Sequence, residues 1–258
     1  MSRLLADDLP ENADQRNIVV ILSDHDVARS RHDGEARFLV TSPQTCFLRY
    51  RPDLDERSDL LQTIIAKGQY RAGFTLILNP FDRGSYQVLD KASEDAVVKK
   101  AISFSMLCGY LGAKSVLLQR ASFEVGEHKF SARCEAGIPQ IKSEVSAEAG
   151  FSRANSLSER LTLSDTYDGG VPDIAKAESF LRDSGLDADP VASSLVLARK
   201  DGVPIKARSF KLDVTQEINN SLHIAMNMKI PKFIKSESGI NYDGIKKMDV
   251  ELEISVEF

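Results

Sequence analysis

The chain has 258 residues, of which 42% are hydrophobic and 28% are charged, and its formal net charge is −5 at pH 7. This length and composition suffice for one large soluble core or two smaller ones. The acidic balance gives no long-range attraction to nucleic acid, so no nucleic-acid partner is expected.

The cysteines and the first residues of the chain bear on location. Cys46, Cys108 and Cys134 form no Cys-x-x-Cys pair, and an odd number of separated cysteines is typical of buried free thiols in a reducing compartment. The stretch 1–15 is acidic and lacks the basic and apolar regions of a signal peptide. No apolar run approaches the roughly 18 residues of a membrane helix. These features predict a cytoplasmic protein.

Short apolar runs alternate with amphipathic stretches in the first half of the chain. Each β-branched or apolar run bounded by polar residues predicts a strand, and each apolar stripe at helical spacing predicts a helix. Strands are predicted at 17–22, 37–41, 45–50, 73–78 and 85–89, and helices at 53–67 and 92–111. The charged stretch 23–35 is predicted to be a loop. The wide apolar face of 92–111 indicates a helix that lies across a sheet.

The longest regular pattern runs from Ile141 to Tyr167. Odd positions are mainly apolar and even positions mainly polar, which is typical of strands with one dry and one wet face. The alternation weakens across 152–156. It therefore predicts a long amphipathic hairpin with strands Ile141–Phe151 and Leu157–Tyr167, preceded by strands at 115–125 and 128–135.

A break near 168–172 separates this hairpin from the last third of the chain. Further elements are predicted there: helices at 173–184, 189–200 and 215–228, and strands at 208–214 and 248–258. The closing strand alternates so regularly that it is expected to pair within the sheet. Together these elements predict an α+β fold, with a largely antiparallel sheet packed by helices. The chain is interpreted as a single domain, with 168–172 as the only plausible subdivision.

Asp24, His25 and Asp26 directly follow the first predicted strand. Carboxylate and imidazole groups at a strand end are ligands that suit a hydrolytic divalent metal, so these residues are the candidate metal site. Metal-dependent phosphoesterases separate the aspartate and histidine by one residue, whereas here the two are adjacent. A solvated charged loop is the other interpretation. No phosphate-binding glycine loop or nucleophile elbow is present, and no cofactor is expected.

The segment 229–235 mixes cations with apolar residues. Lys232, Phe233 and Lys235 form the kind of surface that contacts a membrane or an acidic partner. Solvated lysines above ordinary core residues would produce the same pattern.

These patterns favour a non-enzymatic protein that acts by self-association, as a homo-oligomer, or by binding a protein partner. The hairpin or the closing strand would supply the contact, since an exposed strand edge is a template for pairing. Within the hairpin, the candidate contact residues are Val145, Phe151, Leu157 and Leu161.

Two other functions remain open. Each hairpin strand covers about the 9–11 residues of a membrane-spanning β-strand, which would suit a latent pore-forming protein. Glu159 and Asp165 on its apolar face oppose that interpretation. The other alternative is a metal-dependent hydrolase centred on Asp24, His25 and Asp26.

Overall fold

The computed structural model divides the chain into two compact units. Among the residues that it describes, the first unit runs up to Ala92 and the second begins at Ser93. The prediction of a single domain stays a prediction. The described residues are 5–32, 44–53, 57–89, 91–125, 128–135, 138–142, 156–215 and 248–258.

The first unit contains a four-stranded sheet and two helices. In chain order these are β1 (Ile18–Leu22), α1 (Asp24–His32), β2 (Thr45–Arg49), α2 (Asp59–Ala66), β3 (Thr75–Asn79) and β4 (Asp82–Val88). The strand order is β2-β1-β3-β4, with β1 and β2 parallel and the other pairs antiparallel. All five β1 side chains are buried, as the continuous apolar run predicts for a central strand.

The core of the first unit lies between this sheet and α2. Ser58 begins α2 because its hydroxyl accepts a hydrogen bond from Leu61 N at 3.3 Å. The helix then buries Leu61 and Ile64 against Val19 and Leu76 of the sheet. The predicted helix at 53–67 is therefore confirmed in its second half.

The second unit contains the longest helix and a six-stranded sheet. Its helices are α3 (Ala92–Tyr110), α4 (Ile174–Asp183) and α5 (Pro190–Lys200). Its strands are β5 (Ser115–Val125), β6 (His128–Glu135), β7 (Ile138–Lys142), β8 (Ser164–Thr166), β9 (Ala207–Asp213) and β10 (Met248–Glu257). The main strand order is β7-β6-β5-β10-β9, and β8 also pairs with β5. Every pair is antiparallel, which confirms the predicted α+β class.

The closing strand β10 has one dry and one wet face. Val250, Leu252, Ile254 and Val256 are at most 1% exposed, whereas Glu251 and Glu257 are exposed. On the dry side, Phe104 of α3 packs edge-on against Phe210 of β9, with ring centroids 5.6 Å apart. The helix therefore lies on the dry face of the sheet, as its wide apolar face predicts.

The prediction of a second hairpin strand is wrong over much of the segment. Residues 156–160 are helical, and only Ser164–Thr166 form a strand. Leu157 and Leu161 are four positions apart, so they share a face in a helix as well as in a strand. Both are buried, at 0% and 2% exposure. Arg160 completes the docking by pairing with Glu94 and Asp95 in the first turn of α3.

Some of the other predicted segments are either different in the structure or outside the described residues. The stretch 23–35, predicted as a loop, contains helix α1 instead. The predicted strand 37–41, most of the predicted helix 215–228 and residues 143–155 of the hairpin lie outside the described residues.

Candidate interaction surface

The predicted metal residues Asp24, His25 and Asp26 lie at the start of α1, and Asp26 serves to cap the helix. Ser23 Oγ accepts a hydrogen bond from Asp26 N at 3.1 Å, and Asp26 Oδ2 accepts from Ser23 N at 2.7 Å and from Ser23 Oγ at 2.6 Å. This reciprocal arrangement is a capping box, which satisfies backbone donors at the helix start. Asp26 is 5% exposed and is committed to this box.

Asp24 has its own partner at the end of β2. Its Oδ1 lies 3.2 Å from Arg49 Nε, and Arg49 also lies 3.8 Å from Asp7 Oδ1. His25 is exposed. Across the part of the chain that the structure describes, no group of three His, Cys, Asp or Glu side chains is placed to hold a metal ion. The arrangement is one of helix capping and surface ion pairing.

The two thiols that the structure describes are inert. Cys46 and Cys108 are free and buried, as the sequence predicts. Burial raises the pKa of the Cys46 thiol to about 12, with the Arg16 charge opposing that shift. Burial also raises the pKa of Cys108 far above its ordinary value. Because the thiolate is the nucleophilic form, neither side chain is activated for catalysis.

Asp165, an exception on the apolar face of the predicted hairpin, has a structural role. Its carboxylate accepts a hydrogen bond from Ser105 Oγ at 2.5 Å, and Ser105 Oγ is 2.8 Å from Tyr167 Oη. Burial raises the pKa of the Tyr167 phenol. Ser105 is fully buried on α3, so this polar cluster fastens β8 to the helix.

Of the predicted contact residues, the structure describes Leu157 and Leu161. Leu157 and Leu161 are core residues, and whether they ever contact a partner stays a prediction. Val145, Phe151, Lys232, Phe233 and Lys235 lie outside the described residues.

The closing strand cannot supply an open edge, because β10 lies between β5 and β9. β9 does lie at an edge of this sheet, although the sequence does not predict it as a contact. Among the described residues, no strand lies beyond it. The inner side of β9 is fully paired with β10, from Ala207↔Glu257 to Asp213↔Glu251.

The hydrogen bonds that flank this pairing fix which backbone groups face outward. Phe258 N donates to Lys206 O at 2.8 Å, and Val214 N donates to Val250 O at 3.0 Å. Because inward and outward groups alternate along an antiparallel edge, the even residues of β9 point toward β10. The N–H and C=O groups of Ala207, Ser209 and Lys211 therefore point away from the sheet.

The C-terminal end of this edge is already occupied. Lys100 Nζ donates to the outward carbonyl of Asp213 at 2.6 Å and lies 2.7 Å from Asp189 Oδ2. Asp189 Oδ1 in turn caps α5 by accepting from Val191 N at 2.9 Å and Ala192 N at 3.1 Å. Among the described residues, the part of this edge without a neighbouring strand or other partner is therefore Ala207–Lys211, hereafter the β9 edge.

The β9 edge packs against the rest of the second unit. Phe210 is 4% exposed and packs under Phe104, and the Arg208 guanidinium lies 5.1 Å from the Phe210 ring centroid. On the opposite face, Lys211 Nζ bonds Glu251 Oε1 of β10 at 3.0 Å. The strand is thus held by the β10 ladder, a ring contact and an ion pair, while its outward backbone groups have no backbone partner within the described part of the chain.

The other sheet edges are less suited to pairing. Beside β2, Ala6 N donates to Phe47 O and Arg49 N donates to Ala6 O, both at 2.9 Å. The register of β4 is broken by an irregularity opposite Leu78–Asn79. In β7, Pro139 has no N–H to donate.

No protein-family model, curated protein or solved structure matches the chain. The described residues also contain no helix long and apolar enough to cross a lipid bilayer.

Proposed function

We propose that this protein is a non-enzymatic binding protein that takes an extended polypeptide strand onto the β9 edge. The observation that carries the proposal is the outward direction of the N–H and C=O groups of Ala207, Ser209 and Lys211, on a strand whose inner side is fully paired. Such an edge is a template for strand addition, in which main-chain hydrogen bonds supply affinity.

Preorganisation supports this function. A strand that is already held by β10 and packed under Phe104 loses little further freedom when a second strand pairs with it. The cost of ordering the binding surface is therefore low, which favours affinity. The proposed contact is β9 rather than the hairpin or the closing strand that the sequence favours.

The two alternative functions gain less support. The hydrolase needs Asp24 and Asp26 as ligands, and these carboxylates are engaged by Arg49 and by the capping box. The pore-forming alternative needs a second membrane strand across 157–167, where residues 156–160 are helical.

A photo-crosslinking amino acid at Ala207 tests the proposal in cells that express the protein. We expect a covalent adduct to another polypeptide chain. Arg133, an exposed residue on the interior strand β6, is the matched control position and should give none.

A second substitution ties the adduct to strand pairing. Ser209→Pro removes an outward N–H without touching the β9–β10 ladder, and proline is tolerated on such an edge. Ser209→Ala keeps that N–H. The adduct should disappear with Ser209→Pro and persist with Ser209→Ala, and an adduct that ignores the proline would refute strand addition.

A further inference from the structure

We infer that the strand taken up by the β9 edge is the β9 strand of a second copy of this chain. The two strands run antiparallel about a two-fold axis at Ser209 and join two six-stranded sheets into one. This inference rests on the proposed function and adds the identity and register of the partner.

The geometry of the edge restricts the pairing. In an antiparallel pair, residues that exchange both hydrogen bonds must both point their backbone groups toward the partner. Only Ala207, Ser209 and Lys211 do so within the open part of β9. The register that pairs Ser209 with Ser209, and Ala207 with Lys211 in both directions, uses all three residues and nothing beyond them.

Side chains favour the same register. Arg208 comes to lie opposite Phe210 of the second copy, so it does not face another cation. Lys211 faces Ala207, so no like charges oppose each other.

The neighbouring registers bring less favourable residues opposite each other. A slip by one step toward the N-terminus places Arg208 opposite Arg208, and like charges directly across a ladder are destabilising. A slip the other way places Ala207 opposite Asp213, whose outward carbonyl already accepts from Lys100 Nζ at 2.6 Å, so only Ser209 and Lys211 are left to pair. A further slip opposes Lys211 with Lys211. Of these registers, the one centred on Ser209 is therefore the most self-complementary.

Light scattering across a concentration series tests self-association on the full chain. The parent protein and Ser209→Ala should form a dimer, whereas Ser209→Pro should be monomeric at concentrations at which the parent is fully dimeric. Circular dichroism of the proline variant should match the parent, since the β9–β10 ladder is intact. A monomeric parent, or a proline variant that is still dimeric, overturns the inference.

Cysteine crosslinking tests the register. In an antiparallel pair the Cα atoms of a hydrogen-bonded residue pair lie about 5.5 Å apart, within disulfide range. Ser209→Cys should therefore give an intermolecular disulfide under mild oxidation. Lys211→Cys is the matched control: its two copies would be four residues out of register, so it should give none alone but should crosslink to Ala207→Cys. A disulfide with Lys211→Cys alone overturns the register.

The results separate this inference from the proposed function. An Ala207 adduct to a different polypeptide, with a monomeric protein, would leave strand addition standing and remove the second copy. An Ala207 adduct within a monomer, to the chain's own residues 216–247, would overturn both.

Discussion

The second unit contains a buried ion pair between Lys100 and Asp189, and we expect mutation of either residue to destabilise the fold. Its side chains are 0% and 5% exposed, and the Nζ–Oδ2 distance is 2.7 Å. Lys100→Met removes the cation while filling a similar volume. It leaves the Asp189 carboxylate buried without its charge partner and removes one donor from the Asp213 carbonyl.

The magnitude follows from burial. Removing one partner of a buried pair costs about 3–5 kcal/mol, because the other charge is left uncompensated in a region of low dielectric. Asp189→Asn should cost a similar amount. Asparagine still caps α5 about as well as aspartate, so that loss comes from removing the carboxylate that pairs with the buried Lys100 ammonium and not from the helix.

The double variant Lys100→Met with Asp189→Asn separates charge from packing. Both charges are absent, so the remaining cost is chiefly the Asp213 carbonyl that has lost a donor, about 1–3 kcal/mol. The double variant should therefore be more stable than either single variant. Since whole domains are stable by only about 5–15 kcal/mol, the differences are large enough to resolve.

Unfolding in urea, monitored by circular dichroism, measures the free energy of unfolding of each variant. The variants are compared with the same slope of free energy against urea concentration. Lys200→Met is the control, because Lys200 pairs with Glu178 at 2.8 Å on the surface and should change stability little. A loss below about 1 kcal/mol for Lys100→Met, or a double variant as unstable as the sum of the singles, would refute the reasoning.

Three further predictions use other parts of the fold. Burial raises the pKa of Tyr86 to about 12, so the folded state holds this proton more tightly than the unfolded state. The free energy of unfolding should then fall from about pH 10 to pH 12, and the Tyr86→Phe variant should lack that share of the decrease in alkaline urea titrations. Cys46 has a pKa of about 12 and is 5% exposed, so iodoacetamide at pH 8 should label it only after denaturation, as mass spectrometry of the peptides would reveal. Gly112→Ala should destabilise by more than the ~1–2 kcal/mol of a left-handed residue, because its Cβ would lie 2.4 Å from the Gly170 carbonyl oxygen. Gly202 has a similar φ but open space around it. The difference in melting temperature between Gly112→Ala and Gly202→Ala therefore measures the cost of the close contact with Gly170.

The strands of the second unit could be predicted from the sequence because one face of their sheet is wet. The expected bounds of β5 and β6 match the structure, and β10 ends one residue earlier than expected. A period of two in hydrophobicity is a direct record of alternating burial, and β10 keeps that alternation along its length.

The predictions for 23–35 and 157–161 are wrong because each segment carries two competing sequence signals. The charge of 23–35 favoured a loop, but the Ser23-x-x-Asp26 capping box marks a helix start and could have been recognised. At 157–161 the leucine spacing fits both periods. Tertiary contacts, including the Arg160 pairs with α3, decide for the helix.

The sequence predicts a strand at 208–214, but not that this strand lies at an edge of the sheet. Nothing in a strand's own residues records whether one or both of its sides are paired. That information depends on the long-range order of the sheet, in which β10 inserts between β5 and β9.

The insertion of β10 has a consequence for how the protein is made. Its partner β5 precedes it by more than a hundred residues, from Ser115 opposite Glu257 to Val125 opposite Met248. During synthesis β5 therefore emerges long before the strand that covers one whole side of it, and contacts of such separation form slowly. Arg120 and Glu124 lie between the apolar residues of β5. Charges inside such a strand discourage pairing with other unfinished chains, so they protect the protein before it has folded.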